Sequence, residues 1–247
     1  MALPTIETPT FELKIPGRQD SLTFRPFLVK EDKLLTLASD SGEIEDMVSA
    51  CVQVVNNCAM GALDAKDLAM YQLQWLFLEL RKRSIGGIQN FTLTCGGCKE
   101  KVSYEMDVGE FAVMGDTSSD TKEIRLNENL SFTLKYPSCS LQGQLPNMSD
   151  EEVIKTCMTS IINGDETINP RDETAESLEE FIENLPIHVI KEAEEFFADM
   201  PFLGHEITYT CKKCEKENFI LINGYEHFFG YLFLRIRLKI ITKRISY

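Results

Sequence analysis

Two pairs of cysteines carry the strongest chemical signal in this chain. Cys95 and Cys98 lie in the string TLTCGGCKEKVSY, and Cys211 and Cys214 lie in TYTCKKCEKENFI. Two sulfurs spaced in this way on a tight turn between strands can reach one ion together, and two such turns complete a tetrahedral set of four ligands, as in zinc ribbons and rubredoxin-like sites. The spacing predicts a four-cysteine centre made by Cys95, Cys98, Cys211 and Cys214, with structural zinc as the expected ion and iron as the alternative. Four thiolates fill every position of a tetrahedral zinc and leave none for water, so the expected role is structural rather than catalytic. A local zinc finger spaces its pairs by about 12–20 residues, whereas 112 residues separate Cys98 from Cys211. The expected site is therefore split and must close a long loop. Small or basic turn residues (Gly96, Gly97, Lys212, Lys213) suit a tetrathiolate that carries two net negative charges.

The competing classes are a metalloenzyme, which a shell filled by four thiolates disfavours, and thiol redox exchange. The latter would place one Cys-x-x-Cys at a helix amino terminus, where the thiolate is stabilised, but strand-like sequence follows both pairs here. The other four cysteines, Cys51, Cys58, Cys139 and Cys157, read as small core residues. The three histidines, His188, His205 and His227, form no His-Glu-x-x-His motif, and the chain has no Gly-x-Ser-x-Gly elbow and no phosphate-cradling glycine loop. His205 precedes the second cysteine pair, where it could be an outer donor, but an ordinary surface histidine is the simpler reading. The acidic run from Glu173 to Glu195 reads as a solvated helix face. No catalytic residue is assigned.

The elements that must position the sulfurs come in a repeated order. Residues 11–15 and 21–27 alternate apolar and polar around Pro16-Gly17, the pattern of a β-hairpin. Helical periodicity follows over 30–39, 43–58 and 65–84, and strand-like segments at 88–94 and 101–108 flank the first cysteine turn. The second half begins with strand-like 123–126 and 132–137 around Asn127-Glu128-Asn129. A helix opened by Ser149 follows, with Glu152 completing a capping box, and its Val153, Ile154, Cys157, Ile161 and Ile162 echo Met47, Val48, Cys51, Val54 and Val55. Asn163 then matches Asn57. Acidic helices over 175–184 and 187–199 lead through strand-like 205–210 into the second cysteine turn. The matched residues Glu12 and Glu123, Cys51 and Cys157, and Cys95 and Cys211 are 111, 106 and 116 positions apart. The expectation is an α+β fold of two similar halves, 1–115 and 116–229, made by internal duplication and joined at a zinc-ribbon-like site, with a tail at 230–247.

Composition narrows the function classes. The chain has 247 residues, 43% hydrophobic, enough for a substantial core. Its net charge of −14 repels a phosphate backbone, which disfavours nucleic acid as a partner. No apolar run reaches the roughly 18 residues of a membrane span, and Met1 to Thr10 do not read as a signal peptide, so a soluble intracellular protein with reduced thiols is expected.

Three strings then identify a resemblance: Leu3-Pro4-x-x-x-x-Pro9; Arg25-Pro26-Phe27-Leu28-Val29-Lys30-Glu31-x-Lys33-Leu34-Leu35; and Leu76-Phe77-Leu78-x-Leu80-Arg81-x-x-Ser84-Ile85-Gly86, followed by a strand and Cys95-x-x-Cys98. The chain resembles the baseplate hub assembly proteins of contractile-tailed, T-even-type bacteriophages over nearly its whole length. The resemblance implies a non-enzymatic factor that helps to build the central hub of the tail baseplate, as an assembly chaperone or as a minor hub component. Its partners would be other hub or tail proteins, and its place the cytoplasm of the infected bacterium or the virion tail. The family pattern ends near residues 224–229, whereas this chain continues into a tail with five positive charges and no acid, leaving −19 on the rest of a chain whose total is −14. Three roles compete for this basic amphipathic tail, a terminal packing element, a docking segment or a membrane-surface anchor, and the first two are favoured because a helical membrane binder would segregate its charges more cleanly. Phe196, Phe197, Phe202, Phe228, Phe229 and Phe233 are the apolar candidates for a partner surface, with Phe228, Phe229 and Phe233 singled out, although most of these phenylalanines are expected in the core.

Overall fold

The computed structural model describes residues 6–141 and 143–223. The chain starts with an antiparallel hairpin, β1 (Phe11–Lys14) and β2 (Ser21–Phe24), turned at Gly17 with φ 79°. Three helices follow: α1 (Val29–Ser41), α2 (Ile44–Cys58) and α3 (Met70–Ile85). A second hairpin, β3 (Ile88–Thr94) with β4 (Lys101–Asp107), carries the first cysteine turn, and the short strand β5 (Ala112–Met114) comes next. Then β6 (Thr121–Arg125) and β7 (Leu130–Lys135) lead to α4 (Asp150–Cys157), β8 (Met158–Asn163) and β9 (Glu166–Ile168). Helices α5 (Ala175–Glu183) and α6 (Ile187–Ala198) precede the last hairpin, β10 (Phe202–Thr210) and β11 (Glu217–Asn223), which carries the second cysteine turn. The molecule is α+β, with four antiparallel sheets among the described residues: β1-β2, β3-β4, β11-β10-β5 and the meander β6-β7-β8-β9.

Local chemistry sets the helix ends. Glu31 reaches back to accept from the Leu28 N–H at 2.9 Å, satisfying an N-terminal donor of α1, and Gly42, at φ 77°, ends that helix in the left-handed region. Gln72 does the same for Ala69 at the start of α3, and its Nε2 donates to the Pro16 carbonyl, which ties the first hairpin to the helix. The expected capping box of Ser149 and Glu152 is present on α4.

Two apolar cores form among the described residues. The larger gathers α2 and α3 (Met47, Cys51, Val54, Val55, Leu73, Leu76, Phe77, Leu80) with Leu93 and Met106 of β3-β4 and with Leu203, Ile207, Tyr209 and Ile222 of β10-β11. The smaller joins Ile124, Phe132, Leu134, Ile154 and Ile161 to Ile182, Val189, Ala193 and Phe196, and takes in Ala69 and Tyr71 from the helical layer. Phe196 stacks on Tyr136 with ring centres 4.4 Å apart. The last hairpin thus packs with the elements of the first half, and this brings the two cysteine turns to one place.

The chain departs from the expected second half at α4. The helix stops at Cys157 instead of running on through Ile161 and Ile162, and 158–163 form β8, paired on one side with β7 and on the other with β9. The cause lies in the residues: Thr159, Ile161 and Ile162 are β-branched, and Gly164 with φ 61° makes a two-residue hairpin turn with Asp165. Asn163 therefore ends a strand, whereas its supposed counterpart Asn57 lies inside α2.

Candidate metal centre

Each cysteine pair occupies a turn of the same design, 95–100 in one hairpin and 211–216 in the other. In the first, Thr94 pairs with Lys101 across β3-β4; in the second, Thr210 pairs with Glu217 across β10-β11. The Cys95 N–H donates to the Glu100 carbonyl at 2.8 Å and the Lys99 N–H to the Cys95 carbonyl at 3.1 Å. The equivalent bonds, Cys211 N–H to Lys216 carbonyl and Glu215 N–H to Cys211 carbonyl, measure 2.9 and 2.8 Å. Lys99 and Glu215, each following the second cysteine of its pair, hold positive φ of 62° and 57°. These folds turn both sulfurs of each pair to the same side.

The two turns face each other. All four sulfurs lie within 4.8 Å of one another, with Cys95 to Cys214 and Cys98 to Cys211 each at 3.6 Å. A tetrahedral ion with metal–sulfur bonds of about 2.3 Å places its ligands about 3.8 Å apart, so the donor set fits a thiolate-bound metal such as zinc. The cluster could hold a metal ion, and Cys95, Cys98, Cys211 and Cys214 are the residues that would do so. Their protons are unevenly held. The backbone N–H groups of Cys98 and Gly97 bring Cys95 down to about 6. Cys98, although the Glu100 N–H pulls it down, is pushed up to about 11 by burial and by the three neighbouring sulfurs. Four negative sulfurs this close repel one another strongly, and only a cation allows all four to ionise together.

The surroundings supply compensating groups. Asn218 of β11 places its Nδ2 3.6 Å from the Cys95 sulfur. Lys213 of the second turn pairs with Glu100 of the first, and that carboxylate, through its hydrogen bond, raises the lysine above its ordinary value. Sequence reasoning places Gly96 and Gly97 in the turn as small residues that suit a tetrathiolate, and it does not single out Asn218. Its one sequence signal was a polar residue beside the apolar run Phe219 to Ile222.

The remaining predicted positions lie elsewhere. Cys51, Cys58, Cys139 and Cys157 are buried, and burial raises each thiol, Cys58 to about 11 and Cys139 and Cys157 to about 12. His205 turns away from the cysteines to the short helical turn Val108–Glu110, with Nδ1 3.2 Å from the Glu110 carbonyl oxygen and Nε2 3.5 Å from its carboxylate. His188 is exposed. Phe196 is buried and Phe197 packs against the same core, whereas Phe202 is exposed. Phe228, Phe229 and Phe233, with the basic tail, lie outside the described residues. No helix among the described residues is long and apolar enough to cross a membrane.

The family model described as T4 bacteriophage base plate protein matches residues 8–230. The chain belongs to that family. The match takes in all four cysteines of the cluster, and it stops where the basic tail begins. No match was found among curated proteins or among solved structures.

Proposed function

We propose that this base plate family member is a non-enzymatic assembly factor, a chaperone for the central hub, which binds other hub and tail proteins while zinc staples its own fold. Membership of the base plate family carries this reading. The cysteine cluster supports the rest. With sulfur as every ligand, zinc would serve to neutralise the thiolates and hold two hairpins together, with no coordination position left for a substrate. Neither Cys-x-x-Cys begins a helix, so the helix-dipole stabilisation that activates redox thiols is missing at both. Exposed Val29, Leu37, Ile85, Ile88, Ile187 and Phe219 offer apolar contact surface, and the strong negative charge favours a basic partner. The matching backbone hydrogen bonds and positive-φ positions of the two cysteine turns support a duplicated origin for at least those hairpins.

The infected host cytoplasm is the proposed place of action, and particle composition tests it. A chaperone is expected in complexes with a hub protein in infected cells and to be lacking from washed mature tails. Fixed copies per tail would instead make it a permanent subunit. For the metal, elemental analysis of purified protein is expected to give one zinc per chain, lost in the Cys95→Ser/Cys98→Ser double variant together with much of the thermal stability. A disulfide that cycles with dithiols, and no metal, would favour a thiol redox protein.

A further inference from the structure

Asn218 belongs to the second hairpin by sequence and to both hairpins by its bonds. It is buried, at 8% exposure, and its whole amide is engaged. Oδ1 accepts from the Gly96 N–H of the first turn at 2.8 Å, while Nδ2 donates to the Lys216 carbonyl at 2.8 Å and faces the Cys95 sulfur at 3.6 Å. The partners fix which end is oxygen, because the Gly96 N–H can only donate and the Lys216 carbonyl can only accept. The first turn is correspondingly bare. A Cβ on Gly96 would stand 3.4 Å from Asn218 Oδ1, and one on Gly97 would stand 2.9 Å from Lys216 Cδ and 3.5 Å from the Cys214 sulfur. The arrangement runs one way: Val102, which holds the place in the first hairpin that Asn218 holds in the second, is apolar and has no side-chain amide to return.

We propose that Asn218 is the positioning residue of the split metal centre: its amide sets the first cysteine pair in register with the second and gives the Cys95 sulfur an N–H donor. This rests on the reading of the four cysteines as metal ligands. Partners of this outer kind orient ligands without touching the ion, and losing one costs about 10–100-fold in metal affinity. Zinc affinity of the full chain, measured in competition with a chromophoric chelator, tests the assignment in wild type, Asn218→Ala, Asn218→Asp and Val102→Ala. Affinity is expected to fall about 10–100-fold in Asn218→Ala and to stay at the wild-type level in Val102→Ala. Asn218→Asp keeps the shape and the acceptor for Gly96 but has no N–H and adds a negative charge, so it is expected to bind no better than Asn218→Ala, and it serves alone should the alanine variant not fold. Cobalt-substituted variants are expected to keep the intense bands of a tetrahedral four-thiolate site, since all ligands remain. Wild-type affinity in Asn218→Ala or in Asn218→Asp would overturn the positioning role and leave the metal reading intact. A wild-type chain that binds neither zinc nor cobalt would overturn the metal reading, and this one with it.

Discussion

The string Arg25 to Glu31, which helped to carry the family resemblance, encodes a buried ion pair. Arg25 Nη2 meets Glu31 Oε1 at 2.9 Å and Nη1 meets Oε2 at 3.2 Å, with the Glu31 side chain fully buried. Between them, the Phe27 N–H donates to Ser84 Oγ at 2.8 Å and the Phe27 ring packs 5.7 Å from that of Phe77, so this string locks onto the Leu76-to-Gly86 string. Burial raises the Glu31 carboxyl, but the Arg25 guanidinium and the Leu28 N–H outweigh it and hold the group below its ordinary range. Removing one partner of such a pair leaves the other charge buried and costs about 3–5 kcal/mol, so Glu31→Gln is expected to lower unfolding free energy by about that amount at neutral pH. Because the folded-state value is depressed, the pair's contribution is present above the unfolded value of about 4.3 and fades as pH falls towards the folded value. Urea midpoints should therefore differ widely between wild type and Glu31→Gln at pH 7 and draw together below about pH 4. A gap that stays constant with pH would show that the variant acts through packing alone. The two strings were legible as strings, but that Arg25 and Glu31 share a buried pocket depends on how the loop between β2 and α1 folds, which their spacing alone does not specify.

At the scale of elements, legibility followed the strength of the local signal. The first hairpin, the three helices of the amino-terminal half and both cysteine hairpins stand close to their expected places, because turn residues, caps and long periodic stretches all agree. The Ser149–Glu152 box marked the start of α4 correctly. Its end was misread because Ile161 and Ile162 continue a helical spacing from Val153, Ile154 and Cys157, and the competing signal, a glycine turn after a β-branched run, needs β7 and β9 alongside to take effect. Strand β5 is three residues long and exists through its pairing with β10, so no local pattern announces it. The β8-β9 turn gives a direct test. Nothing lies within 4 Å of a Cβ built on Gly164, so a substitution there reports the positive φ alone. Gly164→Ala is expected to cost about 1 kcal/mol and Gly164→Asn less, since asparagine tolerates the left-handed region better. Equal stability of the alanine variant and wild type in chemical denaturation would contradict that account of why 158–168 is a hairpin.

At the scale of the whole molecule, the cysteine cluster ties together two turns that lie far apart in the sequence. It joins β3-β4 to β10-β11, and the same hairpins share the larger core, whereas the β6-to-β9 meander packs with α5 and α6 around the smaller one. A clip that closes a loop of 112 residues restricts the unfolded chain, and the chain-entropy account of such closures gives about 4–5 kcal/mol for loops near that length. If the cluster holds zinc as proposed, stripping the ion is expected to lower the melting temperature by about 10 °C for a chain of this size. The loss should also be uneven. Leu203, Ile207, Tyr209 and Ile222 keep the last hairpin anchored in the core, so the turns at 95–100 and 211–216 should open first, while the meander, which makes no contribution to the cluster, should hold. Hydrogen exchange before and after chelation reads this directly: amides of Cys95, Lys99, Cys211 and Glu215, bonded within the two turns, should lose protection, and those of β7 and β8 should keep theirs. Unchanged melting after chelation of a protein shown to have held its ion, or protection lost equally in the meander and the turns, would mean that the two hairpins are held together by their shared core and that the sulfurs contribute nothing to the fold.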